Sequence, residues 1–376
     1  MHSPIAPSAA ERWVQCPGSV SLCQRVPEPP EGEEARDGTA SHWVGSESLL
    51  GMPVAVGAVA PNGVVTTAEM HEGAQLWVDA CTRAVAEAGL QGHLQVESRL
   101  SIASVHQECY GTTDTWLWDE RTRTLRVWDY KYGHRFVEVV GIWQLILYAL
   151  GVLELLGLDD RNWGDVWVEL TIVQPRCYRS EGPVRTWRIR AVELVPYRTA
   201  LILAANAAMS GTGALKAGEH CRDCPARHAC PALNRAVHEV LGMSSEQYLD
   251  ELRPEDLGHH LDALEAAQGL LKARISGIRG QMEARINSGK DVPGWTIERV
   301  PGHLKWTAPL DTVKLLAALY GKPLTKEEPV TPTQAIKAGI PAEVVNENAK
   351  RGYSLTLARI DKLIARAAQE LGHHGK

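Results

Sequence analysis

The chain has 376 residues, 44% of them hydrophobic, and a formal net charge of −6. A chain of this length can bury one large core or two modest ones, so a globular fold is expected. No apolar run reaches the ~20 residues of a transmembrane helix, and the N-terminus lacks the pattern of a signal peptide. We therefore expect a cytoplasmic protein without a membrane partner. The mild acidity argues against nucleic-acid binding without excluding it.

The first ninety residues are predicted to be mainly helical. Residues 8–11 read Ser-x-x-Glu, a capping box that is typical of a helix start. A loop rich in Pro and Glu covers 27–34. Two further helices are expected, from about residue 38 past residue 50 and over 67–88.

Strand signals dominate the next hundred residues. Alternating or continuous apolar segments of six to eight residues predict five strands, over 94–101, 113–118, 124–130, 166–173 and 184–189. Helices are predicted over 137–156 and 191–209. This order of elements indicates an α/β fold with a mixed sheet flanked by helices.

The composition changes near residue 240, where we place a domain boundary. The first domain, 1–240, contains the predicted sheet. The second, 241–376, is predicted to be a mainly helical extension, with a long helix over 252–287 and a hairpin over 293–307.

Polar residues on two adjacent strands form the most informative pattern. Asp114 lies on the second predicted strand, and Asp129 and Lys131 lie at the end of the third. Two carboxylates can hold a hard divalent cation, which polarises a phosphate and activates water. Lys131 shares a strand face with Asp129, so it can stabilise charge that develops on the phosphate. A surface ion pair and a solvated turn residue are the structural alternatives.

Two further polar features strengthen this pattern. Gln144 and Tyr148 are four residues apart and share one face of the following helix. His42, in a Gly-Thr-x-x-His segment, offers an imidazole that suits sites for Mn²⁺ or Mg²⁺. A satisfied polar pair and a structural histidine are the alternatives.

Taken in chain order, these polar motifs resemble the RecB-type nuclease motifs of the PD-(D/E)XK superfamily. They are Gly-x-x-x-His42, Gly-x-x-Asp114, Asp129-Tyr-Lys131 and Gln144-x-x-x-Tyr148. The predicted elements are also similar in order to the restriction-endonuclease-like core of that superfamily. Within that superfamily, the chain most resembles the phage DUF2800 family, relatives of the Cas4 and AddB nucleases. The Ser-x-x-x-Arg-Trp-x-x-Cys-Pro sequence at 8–17 and the Gln-Pro-Arg sequence at 174–176 add to the likeness, as does the segment 294–306.

This resemblance implies a division of roles at one site. The implied ligands of Mg²⁺ or Mn²⁺ are one imidazole, two carboxylates and one main-chain carbonyl, from His42, Asp114, Asp129 and Tyr130. The implied catalytic set combines carboxylates with a lysine and two orienting groups, namely Asp114, Asp129, Lys131, Gln144 and Tyr148. Glu97 is a secondary acidic candidate, whose alternative role is an ion pair with Arg99.

Three of the eight cysteines fall within ten residues: Cys221, Cys224 and Cys230. In a reducing compartment, clustered cysteines more often hold a metal than form disulfides, and a four-coordinate site needs one more ligand. The resemblance to Cas4-like nucleases implies Cys16, with Cys23 as the next candidate. It also implies a [4Fe–4S] cluster; zinc, for which His228 would be suitable, is the alternative. Either group would clamp distant parts of the chain together.

Basic residues near the motifs predict a groove that follows a DNA backbone, from Arg135, Arg176, Arg179, Arg185, Arg188 and Arg190. Trp128 and Tyr132 would supply stacking surfaces. Ordinary surface charge and core aromatic residues are the alternatives.

Three functions follow. The first is an exonuclease acting on single- or double-stranded DNA in phage recombination, replication or repair. The second is a structure-specific or single-strand endonuclease. The third is a non-catalytic DNA-binding module that partners a recombination or single-strand annealing protein. The complete set of Asp114, Asp129 and Lys131 favours the first two, and the sequence leaves polarity, strand preference and oligomeric state open.

Overall fold

The computed structural model describes residues 3–26, 31–90, 93–242 and 254–295. These residues belong to one compact unit, Met1–Pro301. The predicted hairpin over 293–307 lies largely outside the described residues, as does the rest of the C-terminal part. The predicted boundary near residue 240 stays a prediction.

Five strands form one mixed sheet in the order β1-β2-β3-β4-β5. Their bounds agree with the predicted strands to within three residues: β1 Gln95–Ser101, β2 Tyr110–Asp119, β3 Thr124–Tyr130, β4 Trp167–Val173 and β5 Val184–Arg190. The β3–β4 pair is parallel, and the other pairs are antiparallel. The parallel pair requires a crossover connection, which contains a helix. The expected mixed sheet flanked by helices is confirmed.

The helices of the described residues are α1 Ala10–Gln15, α2 Ser19–Cys23, α3 Glu33–Leu49, α4 Ala68–Ala88, α5 Trp143–Leu155, α6 Val195–Met209, α7 Pro231–Gly242 and α8 Pro254–Asn287. Two predicted starts were wrong. Helix α3 begins about five residues earlier than expected, and α5 begins six residues later. Gly141 adopts a φ of +74°, which a right-handed helix excludes, so the segment before it remains irregular. None of the described helices has an apolar stretch long enough to cross a bilayer.

The predicted capping box at Ser8 was wrong in its details. Helix α1 begins at Ala10 after a short 3₁₀ turn, and no side chain caps it. The Glu11 carboxylate instead accepts a 3.0 Å hydrogen bond from the backbone N–H of Trp143. An N-terminal residue therefore caps the first turn of α5, because the unpaired amides at a helix start favour an acceptor.

The sheet is buried on both faces. On one face, Leu125 and Val127 of β3 pack in a core with α1, α5 and α6. On the other, Trp128 and Tyr130 pack against α3 and α4. This two-sided burial explains why β3 and β4 lack a regular alternation of apolar and polar residues. A third, smaller core joins the segment 221–230, called the cysteine segment below, to α7 and α8.

Gly45 lets α3 approach α4 closely. A Cβ atom at this position would lie 2.5 Å from the Trp77 ring, which is fully buried. Gly45→Ala is therefore expected to lower the free energy of unfolding by about 1–3 kcal/mol through overpacking. Gly38→Ala is the matched control on the same helix, because a Cβ there meets nothing within 4 Å. It should raise stability by roughly 0.5–1 kcal/mol through helix propensity.

Urea unfolding followed by circular dichroism measures both changes. Equal midpoints for the two variants would contradict the assigned contact between α3 and Trp77.

Candidate active site

The two strands that carry the predicted aspartates separate at the level of those residues. The β2–β3 ladder ends at Thr115 and Trp128, although β3 continues alongside β4 as far as Tyr130. Beyond the ladder, the Asp114 Oδ2 atom accepts a 2.7 Å hydrogen bond from the backbone N–H of Tyr130. A side-chain oxygen thus replaces a strand carbonyl. The separation creates an opening beside Asp114 and Asp129.

A hydrogen-bonded triad lies on the α5 side of this opening. The Lys131 Nζ atom lies 3.0 Å from Asp129 Oδ1 and 3.0 Å from Gln144 Oε1. The Gln144 amide closes the triad by donating to Asp129 Oδ1 at 2.8 Å. Asp129 Oδ2 is 2.8 Å from Lys131 Nζ, but this buried atom has no partner in hydrogen-bond geometry. One carboxylate oxygen therefore retains acceptor capacity that its contact with the ammonium group leaves unused.

His42 of α3 reaches the opening from the other side of the sheet. Its Nε2 atom is 3.2 Å from Asp114 Oδ1, and its Nδ1 atom is 3.2 Å from Glu97 Oε1. Its ring also packs on Trp77, with 5.0 Å between the centroids. Glu97 has a φ of +51°, a left-handed conformation that costs a non-glycine residue roughly 1–2 kcal/mol. In this conformation the Glu97 carboxylate contacts His42. Glu97 is therefore part of the cluster around Asp114 and not simply an ion-pair partner of Arg99.

Proximity of these groups shifts their pKa values in opposite directions. Burial opposes protonation of His42, but the charge of Asp114 and the bond to it outweigh burial and raise the His42 pKa to about 9. Burial alone would raise the pKa of Asp114, yet the paired imidazole holds it below its usual value. Burial and the Asp114 charge raise the pKa of Asp129 to about 6, against the opposing effect of Lys131. The two carboxylates are thus close enough to compete for cationic partners.

The two tyrosines of the predicted site are buried. Burial, followed by the charges of Asp129 and Asp114, raises the pKa of Tyr148, which also bonds to Gln144. The Tyr130 ring lies on the opposite face of the sheet, stacked on Trp77 at 5.3 Å. Tyr148 therefore helps to hold Gln144 in place through this hydrogen bond. Only the backbone of Tyr130 is available to the site, and its role as a ligand stays a prediction.

A cleft of about 540 Å³ opens beside these groups. It is lined by the start of α3 and the end of β3, through Glu34, Ala35, Gly38, Thr39, His42, Tyr130, Lys131, Tyr132 and Gly133. A volume of this size is typical of small-ligand pockets. Of the predicted site residues, His42 and Lys131 line this cleft through their side chains. Contacts with these two residues, or with their partners, connect the others to it: Glu97, Asp114, Asp129, Gln144 and Tyr148. The sequence did not indicate the contribution of Glu34.

The N-terminal helices bring two cysteines to the C-terminal cysteine segment. Cys23 Sγ lies 3.9 Å from Cys224 Sγ, across 201 positions of sequence. Cys16 Sγ accepts a 3.3 Å hydrogen bond from the Lys216 backbone N–H, and Cys221 Sγ is 3.9 Å from the carbonyl of the same residue. Both upstream candidates for the fourth ligand therefore lie beside the segment.

The five thiols of this region are free, and four of them are buried: Cys16, Cys221, Cys224 and Cys230. The sequence missed His220, whose pKa is raised first by its hydrogen bond to Cys221. The predicted zinc candidate His228 contacts α8 through its carbonyl, which accepts from Arg274. In the described part of the chain, no three His, Cys, Asp or Glu side chains form a preassembled metal site. The cluster, zinc and Mg²⁺ or Mn²⁺ stay predictions.

For the two aromatic residues, the alternative of a place in the core is confirmed, and the stacking role is excluded. Trp128 and Tyr132 are each only 4% exposed, because both rings belong to the core under α3 and α4. Among the basic residues, Arg176 bonds to Tyr132 and Glu69. Arg185 is buried, and Arg135 pairs with Asp223. Arg188 and Arg190 lie over the Trp167 ring. Most of these arginines therefore have structural partners.

Comparisons with known proteins identify the family. A solved structure titled "Crystal structure of SSO0001" is similar over 59% of this chain and 96% of its own length, with 14% identity and a TM-score of 0.27. A family model described as "Protein of unknown function (DUF2800)" matches residues 2–345. The chain belongs to the DUF2800 family, as its motifs predicted.

Proposed function

We propose that the protein is a metal-dependent DNA nuclease of the PD-(D/E)XK type. The observation that carries the proposal is the convergence of Asp114, Asp129 and Lys131 where β2 and β3 separate. Two carboxylates and an ammonium group at one opening suit phosphodiester hydrolysis, which needs a held cation and a positive charge near the phosphate. The order of three antiparallel strands, a helix and a parallel strand also supports this type of core.

The donor set fits a hard cation such as Mg²⁺ or Mn²⁺. Asp114, Asp129 and Glu97 would supply carboxylate oxygens, and His42 would supply an imidazole nitrogen after losing the proton that its carboxylate partners favour. The buried Asp129 Oδ2 atom lacks a hydrogen bond, which makes it the clearest ligand atom. These oxygen-rich donors are those that such cations prefer. When bound, the cation would polarise the phosphate and lower the pKa of an attacking water.

The remaining groups position the reaction. The Lys131 ammonium group, held between Asp129 and Gln144, places a positive charge where a phosphate oxygen would become more negative. Gln144 fixes this lysine and one carboxylate in a single geometry. Tyr148 limits the movement of Gln144, because its buried side chain is hydrogen-bonded to that residue.

The cysteine region is proposed to hold a structural [4Fe–4S] cluster, with zinc as the alternative. Thiolates from α1 or α2 and from the segment after α6 meet across about 200 positions of sequence. A shared metal group there would restrict the unfolded chain strongly, because it closes a very long loop. This proposal is supported by the clustering of Cys16, Cys23, Cys221, Cys224 and Cys230.

Asp129→Ala and Lys131→Ala are expected to reduce DNA cleavage by at least about 100-fold, because each removes a charge that acts on the reacting phosphate. End-labelled single- and double-stranded DNA, incubated with Mg²⁺ or Mn²⁺, provides the assay and shows polarity. Asp165→Ala is the matched control, since this exposed aspartate pairs with Arg123 at the other end of the sheet. Metal-dependent cleavage that survives both active-site changes would refute the proposed roles.

Gln144→Ala is expected to lower activity by about 10- to 100-fold and to raise the Mg²⁺ concentration needed for half-maximal activity. The reason is that Asp129 and Lys131 both lose a fixed partner. Leu155→Gln changes an exposed position on the same helix and serves as the control. A loss of activity with an unchanged Mg²⁺ dependence would show that Gln144 does not position the carboxylate.

Cys221→Ser and Cys224→Ser are expected to abolish bound iron or zinc and to reduce soluble yield, because the clamp loses a ligand. Metal analysis after anaerobic purification measures the content and separates iron from zinc. Comparing Cys16→Ser with Cys23→Ser identifies the upstream ligand, and Cys177→Ser controls for loss of a buried thiol. Soluble, metal-free and fully active Cys221→Ser and Cys224→Ser proteins would rule out a structural clamp.

A further inference from the structure

An exposed aromatic pair joins the loop that follows Lys131 to the loop that follows β4. The Tyr178 and His134 rings stack with 6.2 Å between centroids and 26° between planes. Tyr178 is 82% exposed, although large aromatic side chains are usually at least partly buried. His134 directly follows Gly133, which lines the cleft. The pair therefore presents open ring surface beside the candidate active site.

A buried amide holds the segments that carry these rings. Gln174 donates hydrogen bonds to the carbonyl oxygens of Gly133 and Arg135, at 2.8 and 2.5 Å. Its Oε1 atom accepts from Arg185 at 2.9 Å. The loop after Lys131 and the loop after β4 are thus tied together before any ligand arrives. A preorganised surface loses less conformational entropy on binding.

Two basic side chains lie near the pair, Arg179 and Arg135, and Arg135 is already paired with Asp223. The exposed Arg179 side chain lies over the Phe136 ring, 4.3 Å from its centroid, two residues from His134 in sequence. Arg135 follows His134 directly, and Lys131 lies inside the cleft. Aromatic faces flanked by guanidinium groups complement unpaired bases joined by phosphates.

We propose that Tyr178 and His134 form a base-stacking platform for the unpaired end of a DNA strand that enters the cleft. This rests on the proposed function for the identity of the polymer. Every base offers a π-face, so stacking of this kind tolerates any sequence. A base-paired interior hides those faces from the protein. The substrate class is therefore DNA with a single-stranded end. Arg179 would bind a phosphate of this strand outside the cleft, and Lys131 would bind one inside it.

Fluorescence anisotropy with a labelled 12-nucleotide thymidine oligomer and a blunt 20-base-pair duplex tests the platform. The full chain carries Asp129→Asn throughout, so that the DNA stays intact. Tyr178→Ala is expected to weaken binding of the oligomer about 5- to 100-fold, the range for loss of one base–aromatic stack, with less than twofold change for the duplex. Tyr178→Phe, which keeps the ring, should restore binding to within about twofold.

Charge and position have their own controls. Arg179→Gln should weaken the binding of both DNA probes, whereas Arg161→Gln, at the opposite end of β4, should change neither. Replacing single thymines by abasic sites should weaken wild-type binding at one position, and Tyr178→Ala should remove that dependence. Unchanged oligomer affinity in Tyr178→Ala, or equal loss for oligomer and duplex, would overturn the platform.

The failure of this inference can be distinguished from failure of the nuclease. Binding is measured without cleavage, so a protein that binds the oligomer through Tyr178 but never cuts DNA keeps the platform and loses the enzyme. A protein that cuts DNA normally with Tyr178→Ala and binds the oligomer unchanged keeps the enzyme and loses the platform.

Discussion

The hydrogen bond from the Tyr130 amide to the Asp114 carboxylate determines the rest of the candidate site. It satisfies a backbone donor that would otherwise pair with β2, and it lets the two strands separate without an unpaired buried amide. The separation leaves one largely buried carboxylate from each strand, Asp114 and Asp129, outside the backbone ladder. Without it, a continuous ladder would leave no room between Asp114 and Asp129 for a phosphate or a cation.

The opening collects side chains from both sides of the sheet. Lys131 and Gln144 approach from the α5 side, whereas His42 and Glu97 approach around β1 from the α3 side. Burial and the charge of Asp114 raise the pKa of Asp129, and the ion pair with Lys131 and the charge of His42 offset part of that rise. Shifted pKa values that cluster in this way are more common at functional sites than elsewhere on a protein.

The cysteine region and the candidate active site are connected through short contacts. Arg135, in the loop after Lys131, pairs with Asp223, which lies between Cys221 and Cys224. Cys16 and Cys23 hold the N-terminal helices against the same segment, and Glu11 from those helices caps α5, the helix of Gln144. A structural metal in the cysteine region would therefore restrain the loop after Lys131 and the start of α5.

The sequence by itself determined the secondary structure, the two-strand placement of Asp114 and Asp129, the clustering of cysteines and the DUF2800 membership. Hydrophobic periodicity and motif spacing are local properties of the sequence, so these features could be predicted without the structure. The start of α5 was not, because Gly141 adopts a positive φ only in the folded chain. The earlier start of α3 was also missed.

Only the tertiary structure decided which faces meet. It buried the Trp128 and Tyr132 rings and exposed Tyr178, although residue type alone favours none of them. It also aimed Glu97 at His42 through a strained backbone and assigned Glu11 to a helix 132 residues away. These outcomes depend on long-range packing, in which each side chain's partner comes from a distant segment, and a local pattern contains no record of that segment's position.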